Sequence, residues 1–378
     1  MSKIIIFGAG LIGRAIALDL ASDHKVTCVD LSRTALSRIE KENKDVKTVN
    51  FDLSKQQDYR ELIKEYDLVV NAMPGYLGFA TLKKIINAGK NVIDASFFSE
   101  DCFSLNHIAK KNNVFAIVDC GVAPGMDNLI LGYLDTKMEV NKFECLVGGL
   151  PQKRHWPFNF KSLFSAVDVI KDYTGPARYV ENGEVVVREA LSDCELMDIK
   201  RVGTLEAFNT DGLRTLIKTM DHIPYMKEKT LRYPGHCEYI QVLKAAGFFS
   251  TDSLELNGIE FSPMEVSAKI LKSNWTLGNN EEEFTVMRCT IEGDENGKNR
   301  RYIYRMLDKT DKANNISSMA RTNGYTATAI ANFVLRNNIE AGVCAPESLG
   351  AIEGACQFVL EYLEKRNLYY RVEEKILD

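Results

Sequence analysis

KIIIFGAGLIG, from Lys3 to Gly13, is a short apolar run closed by G-x-G-x-x-G, and it reads as a β-strand turning tightly into a helix. The helix keeps an apolar period through Leu20, and a second strand, Val26 to Val29, follows at once and ends on Asp30. Strand, glycine turn, helix, strand and acid in this register are the parts of a dinucleotide-binding βαβ unit. Gly8 permits the turn, Gly10 lets backbone approach a pyrophosphate, and Gly13 allows helix and strand to pack closely. Leu11 and Ile12 open the helix, whose first N–H groups and partial positive charge face the phosphates.

Asp30 stands where such folds place a carboxylate for the adenosine ribose hydroxyls, and its charge repels a 2′-phosphate, so NAD is the expected cofactor. Ser32 and Arg33 immediately beyond it are residue types that accommodate a 2′-phosphate, which leaves NADP open.

Strand–helix alternation continues with short connections, as a doubly wound parallel sheet requires. Strands are expected at Val46–Phe51, Asp67–Ala72, Asn91–Ala95 and Val114–Val118, and helices at Gln56–Glu65, about Gly78–Ala88 and Leu105–Lys111. The strand ends carry Asn71, Asp94 and Asp119. Carboxyl ends of parallel strands face the ligand crevice, so Asn71, Met73 and Pro74 are expected beside the cofactor.

Beyond Val118 the pattern changes. A loop through Pro124-Gly125 leads into an apolar helix, and long β-segments take over from Lys142. Asn182-Gly183 and Asn296-Gly297 supply hairpin turns, and Ser262-Pro263-Met264-Glu265 reads as a helix capping box. The helices Tyr325–Asn337 and Pro346–Arg366 are expected to return to the first domain. The fold class is therefore α/β: a Rossmann-type doubly wound parallel sheet, residues 1–124 and 325–378, with an inserted α+β domain of mostly antiparallel sheet, residues 125–324.

A chain of 378 residues with 45% hydrophobic content buries a large core. Its net charge of −5, without a Lys/Arg block, argues against nucleic acid or an anionic membrane as partner. No apolar run has the length of a spanning helix, and the N-terminus reads as a strand instead of a signal peptide, so the cytoplasm is the expected compartment. Nine scattered cysteines without C-x-x-C pairs are expected as reduced thiols, with no metal site.

Several stretches resemble the saccharopine dehydrogenase-like superfamily over nearly the whole length, and within it the lysine 6-dehydrogenases: VGGLPQKRHWPFNFKSLFS, VGTLEAFNTDGLRTL, EKTLRYPGHCEYIQVLKAAGFF and MARTNGYTATAIA, besides DCGVAPGMDNL and the glycine-rich start. The resemblance implies NAD(P)-linked oxidation of a C–N bond to an imine that is hydrolysed to an aldehyde. A small amino-acid substrate and a homodimer are the expected partners. Arg154, His155 and Trp156 depart from a less charged, proline-rich stretch expected in lysine enzymes, which points to another amine or a diacid. A carboxylated polyamine dehydrogenase, or a silent NAD-binding sensor or scaffold, are the alternatives.

Hydride leaves carbon only when the neighbouring amine is neutral, so a base is required. Lys161, within the matching Phe158–Ser165 segment, is the first candidate, because a lysine desolvated in a closed site is brought into the useful range; His155 and His236 are the others. Arg214 and Arg232 suit a substrate carboxylate, and Asp211 suits the ammonium, although in T-D-G-L-R it is also a competent helix N-cap. The helix start at Gly125 is a second anion site by geometry. Trp156, Phe158 and Phe160 carry either a core or a site role.

Overall fold

The computed structural model describes residues 1–55, 58–162, 165–278 and 281–377. The chain folds into two compact units, Met1–Lys137 with Ala320–Tyr369, and Met138–Met319 with Tyr370–Asp378.

The first unit is built on β1 (Lys3–Phe7), β2 (Lys25–Asp30), β3 (Lys47–Asn50), β4 (Leu68–Asn71), β5 (Val92–Asp94) and β6 (Phe115–Ile117). With the edge strand Gly342–Cys344 they form one parallel sheet in the order Gly342–Cys344, β6, β5, β4, β1, β2, β3. The order reverses between β1 and β4, so the glycine turn after β1 sits at the switch point where such sheets bind ligands. Ile4, Ile5, Ile6 and Phe7 are all fully buried, the unbroken apolar run of a strand covered on both faces. Each such side chain contributes about 1.5–3 kcal/mol, which makes β1 the anchor of the sheet.

Some expected elements shift. The helix placed at Gln56–Glu65 is reduced to Arg60–Ile63, and Gln56 and Gln57 lie outside the described residues. The helix expected from Tyr325 starts earlier, spanning Ser318–Val334. The expected helix Pro346–Arg366 is broken into Pro346–Gly350 and Ala355–Glu364 by Gly354, which adopts a φ of 79°.

In the second unit, β7 (Glu139–Pro151), β8 (Pro176–Glu181), β9 (Glu184–Glu189), β10 (Glu195–Ile199), β11 (Gly203–Asn209) and β12 (Tyr225–Arg232) precede a small hairpin, β13 (Leu254–Leu256) with β14 (Ile259–Phe261). Two long strands then follow, β15 (Glu283–Asp294) and β16 (Asn299–Lys309). The large sheet runs β10, β11, β12, β7, β15, β16, Tyr370–Ile376, with β8 on β12 and β9 on β8; only the β12–β7 pairing is parallel. Both expected hairpins form, with positive φ at Asn182, Gly183, Asn296 and Gly297. Ser262 does sit at the N-cap of Pro263–Trp275, but its side chain makes no cap bond, so the expected capping box is not closed.

The domain boundaries differ from the sequence expectation at three places, the first being that the first unit resumes at Ala320 instead of Tyr325. The helix Met126–Asp135 belongs to the first unit, and the last strand, Tyr370–Ile376, pairs with β16 of the second unit. That strand alternates charged residues with few apolar ones, which gave it no clear signal in sequence. One further expectation is corrected: Cys194 and Cys237, 43 residues apart, are paired with each other, while seven cysteines are free thiols. The loop after β9 brings Cys194 to the start of the helix His236–Ala245, beside Cys237.

Ending the chain at Ala320 is expected to give aggregated protein. It removes the edge strand beside β6 and the fully buried Ile330, Leu349, Val359 and Leu363 of the first unit, and so uncovers apolar surface. Light scattering on the truncated chain checks this; a monodisperse product with normal cofactor affinity would contradict it.

Candidate active site

The glycine turn has the dimensions of a cofactor cradle. Gly8, at a φ of 102°, lies so near the chain after β4 that a Cβ would stand 2.5 Å from Ala72 O. A Cβ on Gly13 would stand 2.0 Å from Gly8 O, so only glycine lets the helix Leu11–Leu20 approach the turn. At Gly10 a Cβ would meet nothing within 4 Å: this is the open side, where a phosphate can approach backbone. The first helical bond runs from Arg14 N to Gly10 O at 2.8 Å, which leaves the N–H groups of Leu11, Ile12 and Gly13 ahead of it. The residues present therefore fit a dinucleotide pyrophosphate.

Asp30 ties this turn to β2. One carboxylate oxygen accepts from Ala9 N at 2.6 Å and the other from Ser32 N at 2.6 Å. Ser32 accepts in turn from Ala35 N and so caps the helix Arg33–Glu42, while Arg33 is exposed at its first position. Asn71 is placed differently from the expectation. It is fully buried, its amide donating to Asp94 Oδ2 at 2.6 Å and Gly78 O at 3.2 Å, so it braces the loops instead of reaching outward. Ser96 also donates to Asp94 from hydroxyl and backbone, and burial nonetheless pushes the Asp94 carboxyl up to about 7. Met73 is half-buried and Pro74 exposed in the loop ahead of the helix Gly75–Asn87, next to the Ala72 backbone that Gly8 approaches.

Gly125 is corrected as an anion site. It packs on Gly121, and its N–H donates to Asp127 Oδ1 at 3.0 Å and Asn128 Oδ1 at 3.2 Å. Met126 N and Asp127 N bond to Gly121 O and Val122 O, so these N–H groups of the helix start are already taken by the chain itself.

In the second unit the irregular segment from Arg154 to Ser162 gathers the remaining candidates. Lys161 Nζ donates to Thr276 O at 3.3 Å and lies 3.7 Å from Glu281 Oε2, with its side chain only 12% exposed. His155 Nε2 lies 3.2 Å from the other oxygen, Glu281 Oε1. Two of the three expected bases thus share one carboxylate, which is further fixed by Gly278 N at 2.6 Å. Sequence reasoning missed Glu281, because nothing local distinguishes it from Glu282 and Glu283 beside it.

His236 belongs to a different group, and its expected role as a base is corrected. It is buried, with Nδ1 2.9 Å from Phe158 O and Nε2 3.0 Å from Tyr173 OH. Desolvation, reinforced by the Arg232 cation, lowers its pKa to about 3, so it stays neutral and is spent on internal bonds. Arg232 ends β12, where its Nε donates to Tyr173 OH at 3.2 Å and its Nη1 to Leu231 O at 2.9 Å, and its guanidinium lies 4.6 Å from the Phe160 ring centroid. Phe160 is buried and Phe158 packs on Trp275, which gives both a core role; Trp156 is 86% exposed.

Asp211 is engaged by Arg178 in a fork, Nε to Oδ1 at 2.9 Å and Nη2 to Oδ2 at 2.7 Å. It caps no helix, since the next one, Leu216–Thr219, starts after Thr215. Its oxygens are therefore largely spent on β8, and a substrate ammonium would have to compete with Arg178. Arg214 takes a φ of 44° in the turn that follows.

The described chain has no helix long and apolar enough to cross a membrane. Rat mitochondrial alpha-aminoadipic semialdehyde synthase is 25% identical over 194 residues, which cover 49% of this chain and 21% of that protein. Saccharopine dehydrogenase [NADP(+), L-glutamate-forming] of Schizosaccharomyces pombe is 25% identical over 295 residues, covering 72% of this chain and 64% of the relative. The chain thus spans about a fifth of the first relative and somewhat under two thirds of the second. Apo saccharopine dehydrogenase (L-Glu forming) from Saccharomyces cerevisiae shares the fold, with a TM-score of 0.79 at 18% identity over all of both chains. Residues 4–117 match the saccharopine dehydrogenase NADP binding domain and residues 121–368 the saccharopine dehydrogenase C-terminal domain, and the chain belongs to the saccharopine dehydrogenase family.

Proposed function

We propose that the protein is a nicotinamide-dependent amino-acid dehydrogenase that oxidises the CH–NH bond of a lysine-derived secondary amine of the saccharopine class. The observation that carries this reading is the meeting of Lys161 and His155 on the single carboxylate of Glu281. The relatives named above support the substrate class, and the glycine cradle supports the cofactor.

When bound, the nicotinamide supplies the hydride acceptor. The substrate nitrogen must first lose its proton so that its lone pair can form the C=N bond as the hydride departs. In this reading Lys161 Nζ, beside Thr276 O and Glu281, exchanges that proton. His155, a third exposed on the other oxygen of Glu281, links the carboxylate to solvent for the protons of water addition to the imine. Arg232, with a flat guanidinium backed by Phe160, is the clamp for a substrate carboxylate. A saccharopine-like substrate, which carries two more carboxylates than lysine, suits the basic Arg154–His155 stretch better, and lysine is the competing substrate. Reduced-nicotinamide formation, followed by absorbance across saccharopine, lysine, ornithine and carboxylated polyamines, tests the choice; turnover of lysine alone would overturn it.

Cofactor choice is expected to turn on the charge of Asp30. Asp30→Asn keeps an acceptor for Ala9 N while removing the charge, so NAD should weaken by about tenfold, the scale of a charge-assisted hydrogen bond, and the gap to NADP should narrow. Titrations in which the unmodified protein already prefers NADP would refute the preference for NAD.

For Lys161→Met, the expected result is an intact fold and unchanged cofactor affinity with hydride transfer slowed by about 10² to 10⁴, the range for one acid–base group. Single-turnover kinetics measures this. Unchanged turnover would remove Lys161 from the chemistry.

A further inference from the structure

The buried histidine and tyrosine behind Arg232 form a hydrogen-bonded chain whose direction is fixed by elementary chemistry. Phe158 O can only accept, so His236 Nδ1 at 2.9 Å carries the proton. The neutral ring then offers Nε2 as an acceptor, and the Tyr173 hydroxyl at 3.0 Å donates to it. With its proton committed to the imidazole, the Tyr173 oxygen presents lone pairs to Arg232 Nε at 3.2 Å. The ordering is one-way: arginine to tyrosine, tyrosine to histidine, histidine to backbone. Burial keeps each neutral member in this state, lowering the His236 pKa and raising that of the Tyr173 hydroxyl.

The guanidinium is thereby fixed on three sides. Tyr173 holds Nε, Leu231 O holds Nη1, and Phe160 lies 4.6 Å from it at its face. Among the described residues no acceptor takes Nη2. A fork held at one edge and backed by a ring, with the end of the fork open, is preorganised for a planar carboxylate. Tyr173 and His236 are themselves buried, so they act on a ligand only through the arginine.

We propose that Tyr173 and His236 are positioning residues that set Arg232 as the clamp for a substrate carboxylate, and that they govern substrate affinity instead of proton transfer. The inference rests on the reading of Arg232 as a substrate contact given above.

The test uses the full-length protein, with saccharopine as the probe, in steady-state kinetics and in calorimetric titration of saccharopine without turnover. Tyr173→Phe should raise KM and Kd for saccharopine by about tenfold or more, since it removes a hydrogen bond to a charged group, while kcat moves by less than about threefold. Arg232→Lys should weaken binding at least as much. The double variant should be little worse than Arg232→Lys alone, because both substitutions disable one clamp; a merely structural effect of Tyr173→Phe would add to it. His236→Gln, which can keep an acceptor toward Tyr173, should retain most of the affinity that His236→Leu loses. Should Tyr173→Phe not fold, as judged by thermal unfolding, the two histidine variants carry the same comparison.

A large fall in kcat for His236→Gln with KM unchanged would overturn the proposal and return the histidine to the chemistry. Additive losses in the Tyr173→Phe, Arg232→Lys double variant would overturn it as well. Saccharopine that neither binds to nor is oxidised by the unmodified protein would instead refute the substrate assignment, a result separable from both.

Discussion

The first unit depends on a close approach that only a hydrogen atom permits: the Gly13 Cα lies against the Gly8 carbonyl, where a methyl group would stand 2.0 Å from the oxygen. That contact presses the helix Leu11–Leu20 onto the end of β1, and three N–H groups then precede the first helical bond. The remaining contacts protect this geometry. Asp30, at the end of β2, receives the Ala9 N–H and holds the turn from one side. Arg14, one turn into the helix, bonds to Glu42 at 2.5 Å and ties the helix to its neighbour. The same carboxylate that would read the ribose thus also fixes the turn that would hold the pyrophosphate. Charge and geometry at this site cannot be changed independently unless the replacement keeps an acceptor.

The second unit solves a different problem, because two of its candidate side chains, His155 and Lys161, come from a segment without regular structure. Residues Arg154 to Ser162 are held by their side chains and a few backbone bonds instead of a ladder. Arg154 lies over Tyr233, His155 and Lys161 reach Glu281, Phe158 O accepts from His236 Nδ1, and Ser162 N donates to Trp275 O at 2.7 Å. Phe160 and Trp275, with ring centroids 5.5 Å apart, supply the apolar floor. Precision here comes from packing aromatic rings, which have few rotamers to lose, around short polar links.

These two solutions explain what was legible in the sequence. The glycine turn is a local constraint, since each glycine answers to a backbone contact within one βαβ unit, and the sequence spacing alone identifies it. The hairpins at Asn182-Gly183 and Asn296-Gly297 are local in the same sense. Glu281 and Tyr173 were not legible, because their roles arise from residues about 60 positions away or more. Tyr173 follows the ordinary apolar period of its helix. The three glutamates beginning at Glu281 look alike in sequence yet diverge in the fold: Glu281 meets Lys161 and His155, Glu282 pairs with Lys312, and Glu283 is buried with its carboxylate on Met319 N. Asp211 misled for the same reason. Its local pattern fits an N-cap, but the distant Arg178 offers a charged fork, and the fork wins.

The division of labour between the two groups in the second unit follows from the cost of burying charge. A protonated imidazole in the position of His236 would be a second cation near Arg232, with little water to screen either, so the neutral ring is strongly preferred. A histidine held neutral in this way is a poor base near neutral pH, yet it is a good anchor, because its two nitrogens present one donor and one acceptor in fixed directions. Proton exchange needs contact with solvent instead. Lys161 and His155 meet on Glu281 with side chains 12% and 33% exposed. Of three basic residues in the C-terminal family match, burial therefore gives His236 to the internal bonds behind Arg232 and leaves Lys161 and His155 partly exposed on Glu281.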